Sequence, residues 1–412
     1  MLEIDQITII TGIIILALTL GTSLLNPYLF KVRIPKLPKR GKGYTRRKEM
    51  DIQSEDADKQ TDVQVDLLNR KGKDQPVSII ITAHDEKAEL ERNLPLFLYQ
   101  DYDADFQVIV VAESHESDTE YVLKKLKKQF GDRFYYTLIP DTSRYMSRKK
   151  LQITLGVKAA KYDWILLTTP TCHPDSSSWL KYASKYRTDQ SNLVLGITNY
   201  DSKASSYQRF EHIFTALSII SQAKHGIPYR TNMPYICFRK NEFLKKEGFR
   251  NNLELIRGEF DFLVNKYAKE EGTEVTLDPR SWLTEEAPTD KTWCDLHLCY
   301  CATKKKLKHT IRPRLISAFY LLFFHASILA DIFSMVWGGI TSKWIIFGIG
   351  FIALMISLSV RWMAGRLAIR PYDKTIPTIL LPFYELSLSW HTLYYKLRYL
   401  NTDKYDFTCH KL

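Results

Sequence analysis

Residues 7–30 contain no charged side chain, and residues 315–340 and 344–360 form two further apolar stretches long enough to cross a bilayer. Hydrocarbon offers a backbone no hydrogen bonds, so a lone segment spanning it must pair its own N–H and C=O groups and is a helix. Both ends of the chain are thereby committed to helix. Any soluble architecture has to come from the residues between them. These end stretches also hold much of the apolar content, so 45% hydrophobic and 25% charged residues leave a middle of ordinary globular composition.

Charge orients the ends. Nine basic residues (Lys31, Arg33, Lys36, Lys39, Arg40, Lys42, Arg46, Arg47 and Lys48) follow the first apolar stretch directly. This is the positive-inside pattern, which places the first residues outside and the remainder inside. No small-residue cleavage site follows, so residues 1–30 read as a signal anchor rather than a removable leader. The formal net charge of +12 would otherwise suggest nucleic acid. Its excess sits in this juxtamembrane run, with no zinc-finger or RNA-binding signature, so nucleic acid is excluded as a partner. Residues 31–75 form a basic and then acidic linker, of which 49–75 is polar and without periodicity.

The second and third apolar stretches are joined by a turn at Lys343 and followed by Arg361, Arg366 and Arg370, which returns the chain to the inside. His325 and Asp331 lie within the first arm of this hairpin. An ionisable residue inside a membrane helix is a functional-site expectation, although Asp331 also lies near the outer end, where a solvated interface suits it equally. Residues 374–398 hold Glu385, His391 and several aromatics and read as an interfacial helix. Residues 293–306 read as another. The six cysteines have no disulfide framework, and Cys294, His297, Cys299 and Cys301 lack a zinc spacing, so they read as a reduced helix face.

Between the ends, order begins at Pro76. Residues 77–83 (VSIIITA), 106–112 (FQVIVVA), 134–139 and 164–167 (WILL) are continuous apolar runs of strand length, as strands buried on both faces require. Helical spacing fills 86–99, 118–130 and 149–160 between them. Strand and helix alternating through short connections predict a parallel, helix-covered sheet. Residues 193–198 add a strand, and 207–224, 241–246 and 260–270 add helices. The run 164–167 stops at Thr168, and Pro170 and Pro174 keep the next residues out of regular structure. A buried strand ending in such a loop is where an open α/β sheet places its ligand.

Several of these segments resemble the family 2 glycosyltransferases. They are VSIIITAHDE at 77–86, LPLFLYQDYDADFQVIVVA at 94–112, SRKKLQITLGVKAA at 147–160, and Pro174 with Trp179-Leu180 after the loop. The resemblance weakens after Leu180 and continues to about Thr310. It implies an α/β GT-A type (Rossmann-like) fold, a mostly parallel sheet with helices on both faces. To this the chain adds an N-terminal transmembrane helix and a C-terminal transmembrane hairpin with interfacial helices. The implied domains are 76–310, glycosyltransferase-like, and 311–412, membrane region.

Carried over residue by residue, the resemblance puts Glu86, Glu113 and Asp118 near the base and ribose of a nucleotide sugar. Lys149 and Lys150, with Arg148, stand where the diphosphate would lie. The family's Asp-x-Asp metal motif falls on Thr169, Pro170 and Thr171, which puts Thr169 and Thr171 at the donor. Mg²⁺ or Mn²⁺ is expected for the family, but two neutral hydroxyls do not replace carboxylates, and no residue here is assigned to a metal. The family's catalytic base falls in Gly258-Glu259-Phe260-Asp261, where the expected middle carboxylate is Phe260, leaving Glu259 and Asp261 as candidates. The glycine-rich segment corresponds to RTNMPY at 230–235, and the Gln-x-x-Arg motif to Leu296 and Cys299. The implied partners are a nucleotide sugar, a glycan or lipid-linked acceptor and the membrane. Three functions stay open: a transferase at the cytoplasmic face of the cell's inner membrane, a non-catalytic partner or scaffold for an active glycosyltransferase in envelope polysaccharide assembly, and a sugar-nucleotide or lipid-phosphate sensor.

Overall fold

The structure is a computed structural model and describes residues 6–24, 27–30, 74–84, 86–113, 117–139 and 147–408. The basic run and nearly all of the linker lie outside the described residues. Helix α1 (Gln6–Leu24) comes first. The soluble part then alternates β1 (Val77–Thr82), α2 (Lys87–Leu98), β2 (Phe106–Glu113), α3 (Ser117–Phe130), β3 (Phe134–Ile139), α4 (Arg148–Ala159) and β4 (Trp164–Thr168). Strands β1, β2 and β4 are buried along their whole length, as their β-branched and aliphatic runs require. β1 pairs in parallel with β2 (Val77↔Phe106) and β4 (Val77↔Trp164), and β2 pairs in parallel with β3 (Val108↔Phe134). Their carboxyl ends therefore open on one edge.

Beyond β4 the chain departs from simple alternation. β5 (Cys172–His173) and α5 (Trp179–Ser184) precede β6 (Leu193–Leu195) and β7 (Thr198–Tyr200). The single strand expected over 193–198 is two, because the chain changes sheet at Gly196. A Cβ there would sit 1.9 Å from the Tyr235 ring, so only glycine lets the strand pass. Helix α6 (Ser206–His225) starts on a capping box between Ser205 and Gln208. Next come β8 (Tyr235–Arg239), α7 (Lys240–Lys245), α8 (Glu259–Tyr267), β9 (Thr273–Val275) and β10 (Leu283–Glu285). The large sheet runs β3-β2-β1-β4-β8-β6-β9, with β8 antiparallel to β4 and β6. A small sheet, β5-β10-β7, lies at its mouth.

The large sheet separates two cores. Ile79, Ile81, Val108, Val110 and Leu166 meet α2 and α3 through Leu94, Phe97 and Leu123. Ile80, Ile109, Val111 and Leu167 meet α4 and α6 through Ile153, Val157 and Phe210. Gly156 brings α4 onto the sheet, where a Cβ would come within 2.7 Å of Ile80.

Helix α9 (Asp290–Thr303) leads into α10 (Ile311–Ile340) and α11 (Trp344–Ile369), two helices long and apolar enough to cross a membrane. They pack closely because Gly350 abuts Ser334 and the Asp331 carbonyl, and Gly338 abuts the Phe347 backbone. Helix α1 lies against both: a Cβ on Gly12 would meet Ile349 at 2.9 Å. Helix α11 runs nine residues past the expected 344–360, so Arg361 is inside the bundle rather than after it. Its guanidinium pairs with Glu385 at 2.8 Å, lies 3.4 Å from the Phe324 ring and donates to Tyr320. Helix α12 (Leu381–Asn401), which begins seven residues after the expected 374, turns Glu385 inward while Phe383, Trp390 and Leu397 stay exposed. Asp331 is fully buried, which removes the solvated alternative.

Candidate functional site

Three side chains gather where β1 and β2 end. Glu113, the last residue of β2, is buried and pairs with His84 Nδ1 at 2.9 Å and with Arg148, the first residue of α4. Glu86 accepts from the His84 backbone N–H at 2.6 Å, which fixes the turn after β1. Asp118 is exposed and pairs with Lys87 at 2.8 Å, and that ammonium holds its carboxyl below the ordinary value. Glu86 and Glu113 thus share one corner, while Asp118 is turned to the start of α2.

The basic trio at the start of α4 divides three ways. Arg148 goes to Glu113. Lys150 is buried, and its ammonium donates to Asn252 O (2.5 Å), Asn252 Oδ1 (2.7 Å) and Leu255 O (2.5 Å). Lys150 therefore pins the loop before α8 and is not presented to a donor. Lys149 is partly exposed and lies 3.2 Å from Glu259 Oε1.

Glu259 opens α8. Gly258 ahead of it holds φ at 88°, and a Cβ there would lie 2.6 Å from Thr303 of α9, so glycine lets the two helices meet. Glu259 is buried, and among the described residues its Oε2 has no hydrogen-bond partner. Burial would push this carboxyl up, but Lys149, its own backbone N–H and Arg257 outweigh it and hold it below the ordinary value. Asp261 lies two steps along the helix, where the side chain has turned by about 200°. Its Oδ1 accepts from the Thr231 N–H at 3.1 Å, close to Arg230, which stacks on Tyr300 at 3.8 Å. Burial pushes Asp261 up to about 6, against Arg230 and the Thr231 N–H. The structure brings Glu259 and Lys149 together and directs Asp261 to the 230–233 loop.

The loop after β4 carries Thr169 and Thr171, whose hydroxyls lie 3.0 Å apart. Asn93 and the Glu286 N–H hold it through Pro170 O (2.8 Å) and Thr171 O (2.9 Å). Pairing of β10 with β5 sets Glu285 opposite Cys172. Glu285 is a carboxylate that sequence reasoning missed. The signal was the acidic pair Glu285-Glu286 before Pro288, but a three-residue strand shows no period. Its Oε2 accepts from Thr198 Oγ1 at 3.1 Å, and burial pushes it up to about 8, against Thr198 and Lys149. His212, buried beside Thr198, is held down at about 4 and stays neutral, bonded to Thr198 O at 2.9 Å. Burial pushes the Cys172 thiol up to about 12, which leaves it unreactive.

These donors do not fit a divalent cation. Mg²⁺ and Mn²⁺ need hard, charged oxygens. The loop offers two neutral hydroxyls, Glu285 is turned to Thr198, and Asp175 is exposed and bonded to Thr284 at 2.9 Å. Among the described residues no three His, Cys, Asp or Glu side chains converge as a metal-binding group. His297 is held by Glu211 at 2.7 Å, and Cys294, Cys299 and Cys301 are free thiols on α9.

A parallel β3-β2-β1-β4 half-sheet, continued by antiparallel β8 and covered by helices on both faces, is a mixed α/β sheet that opens on acidic and basic side chains. The profile of glycosyl transferase family 21 matches residues 59–233, from the linker to the loop before β8. Among solved structures, the mannosyltransferase PcManGT from Pyrobaculum calidifontis, in complex with GDP-Man and Mn²⁺, aligns at 13% identity. That alignment covers 93% of this chain and 98% of the other, with a TM-score of 0.48. S. aureus TarS 1-349 aligns at 14% identity over 77% of this chain and 92% of its own, with a TM-score of 0.42. Its complex with UDP-GlcNAc aligns at 12% identity over the same shares, with a TM-score of 0.41. No curated protein matches the sequence.

Proposed function

We propose that this chain is a membrane-bound transferase that moves a sugar from a nucleotide-sugar donor to a hydroxyl of a glycan or lipid-linked acceptor. The transferase domain, 76–310, faces the cytoplasm, and residues 1–30 and 311–412 hold it at the membrane. The basic run at 31–48 and the apolar hairpin support this orientation. Glu86 and Glu113 take the base and ribose, and Lys149, Thr169 and Thr171 take the diphosphate.

The observation that carries the reading is the state of Glu259. One carboxylate oxygen is held by Lys149, the other is buried with no partner among the described residues, and the group stays ionised. In that state it is a general base. It accepts the proton of the acceptor hydroxyl, whose oxygen forms a bond to the anomeric carbon. The bond from that carbon to the diphosphate oxygen breaks, and its electron pair leaves with the nucleoside diphosphate. The test is turnover by the full-length protein in nanodiscs, against a panel of UDP- and GDP-sugars. Glu259→Gln should lower kcat by about 10²–10⁴-fold while the protein stays folded. Wild-type turnover in that variant would remove Glu259 from the chemistry.

A second reading, a non-catalytic partner of an active transferase, is favoured by the neutral loop at Thr169 and Thr171 and by Phe260. No turnover with any donor, together with co-purification of a second glycosyltransferase, would select it.

A further inference from the structure

A nucleoside diphosphate brings about two negative charges into a cleft, and its departure adds more to the leaving oxygen. A site can meet that charge with a divalent cation held by carboxylates or with fixed protein cations and hydrogen-bond donors. The two designs exclude each other locally. Carboxylates without their metal repel the diphosphate, and a metal without carboxylates is not retained.

Here the loop is neutral. Thr169 and Thr171 each carry one hydroxyl hydrogen; their oxygens lie 3.0 Å apart and Thr169 also donates to Cys172 Sγ at 3.5 Å, a weak acceptor that a phosphate oxygen would displace. Glu285, the carboxylate set beside the loop by β10, is committed to Thr198. Lys149 lies 3.2 Å from Glu259 Oε1, and its charge also acts on Glu285, which β10 sets beside the loop. Lys149 stands in the first turn of α4, where the helix dipole adds positive potential. Its two neighbours are engaged elsewhere, Arg148 with Glu113 and Lys150 with Asn252 and Leu255.

We propose that the site binds its nucleoside diphosphate without a divalent cation, with the Lys149 ammonium as counter-charge and the Thr169 and Thr171 hydroxyls as donors to the phosphate oxygens. The inference rests on the nucleotide-sugar reading given above. Replacement of the metal motif is then an adaptation of the site and not its decay. Glu259 has two tasks, holding Lys149 over the loop through one oxygen and facing the acceptor with the other.

The test is calorimetric binding of UDP, GDP, UMP and GMP to the full-length protein in nanodiscs, in EDTA and in Mn²⁺. The preferred diphosphate should bind within about twofold of the same affinity in both, and more tightly than its monophosphate. Lys149→Gln should weaken the diphosphate by about 10–100-fold and the monophosphate much less, and Lys149→Arg should recover most of the loss. Lys128→Gln, on the outer face of α3, should change nothing. Thr169→Asp with Thr171→Asp should weaken diphosphate binding in EDTA and make it Mn²⁺-dependent. A more than tenfold gain from Mn²⁺ in the unmutated protein would overturn the proposal while leaving the transferase reading intact. So would diphosphate binding by Lys149→Gln that equals the unmutated protein. Failure of every nucleotide to bind, with and without Mn²⁺, would overturn both.

Discussion

Two carboxylates with opposite tuning define the chemistry at residue scale. Glu259 is the more buried of the two, but Lys149 touches it and keeps it ionised, whereas partly buried Glu285 has a neutral threonine partner. Glu285 goes from an ordinary 4.5 up to about 8, so between those values the native state holds a proton that the unfolded chain has released. Stability from this group is therefore present below about 4.5 and falls as pH rises towards 8, by up to about 5 kcal/mol at about 1.4 per unit. Glu285→Gln keeps the shape and removes the charge. It should melt near the unmutated protein at pH 5 and several degrees above it at pH 8. Equal melting of the two at pH 8 would show that Glu285 is not carried neutral. The sequence displayed Glu259 and concealed Glu285, because Glu259 sits in a recognisable motif. The role of Glu285 depends on a β10–β5 pairing that no local pattern encodes.

Element length separates what could be read from what could not. β1, β2 and β4 are continuous apolar runs and show as strands without any structure, and with them the sheet edge where the site lies. β5, β7, β9 and β10 have two or three residues each, too few for a period, and β8 is not read as a strand at all. The start of α8 was misread for another reason. Helical spacing alone began it at 260, but the left-handed Gly258 places Glu259 in its first turn. That glycine meets two demands, a positive φ and contact with Thr303. Gly258→Ala should cost about 1–3 kcal/mol, seen as a lower melting temperature, with a parallel loss of nucleotide-sugar turnover. Thr303→Ala added to it should restore only part of the stability, since it relieves the clash and not the dihedral. Full recovery would mean that contact alone selects glycine.

At the scale of the whole molecule, the α/β domain and the apolar helices α1, α10 and α11 are joined through α12. Tyr384 and His391 of α12 pack against Tyr207 of α6, and Trp282, just before β10, stacks on Tyr372 at 5.2 Å. On its other face α12 offers Glu385 to Arg361 of α11, and Arg361 also reaches the Thr22 carbonyl of α1. One ion pair therefore ties the N-terminal helix, the hairpin and the helix that carries the domain. Both charges are taken fully out of water, so the pair need not stabilise more than apolar residues of equal volume would, but either charge alone is a large defect. Glu385→Leu should cost about 3–5 kcal/mol by stranding Arg361. The double variant Arg361→Met with Glu385→Leu should regain most of that in thermal unfolding of the detergent-solubilised protein. Turnover supplies the second readout. If the pair serves only stability, the double variant is as active as the unmutated protein. If it sets the seating of the domain on the bilayer, the double variant is stable and yet slow on a membrane-embedded acceptor, while its donor affinity is unchanged.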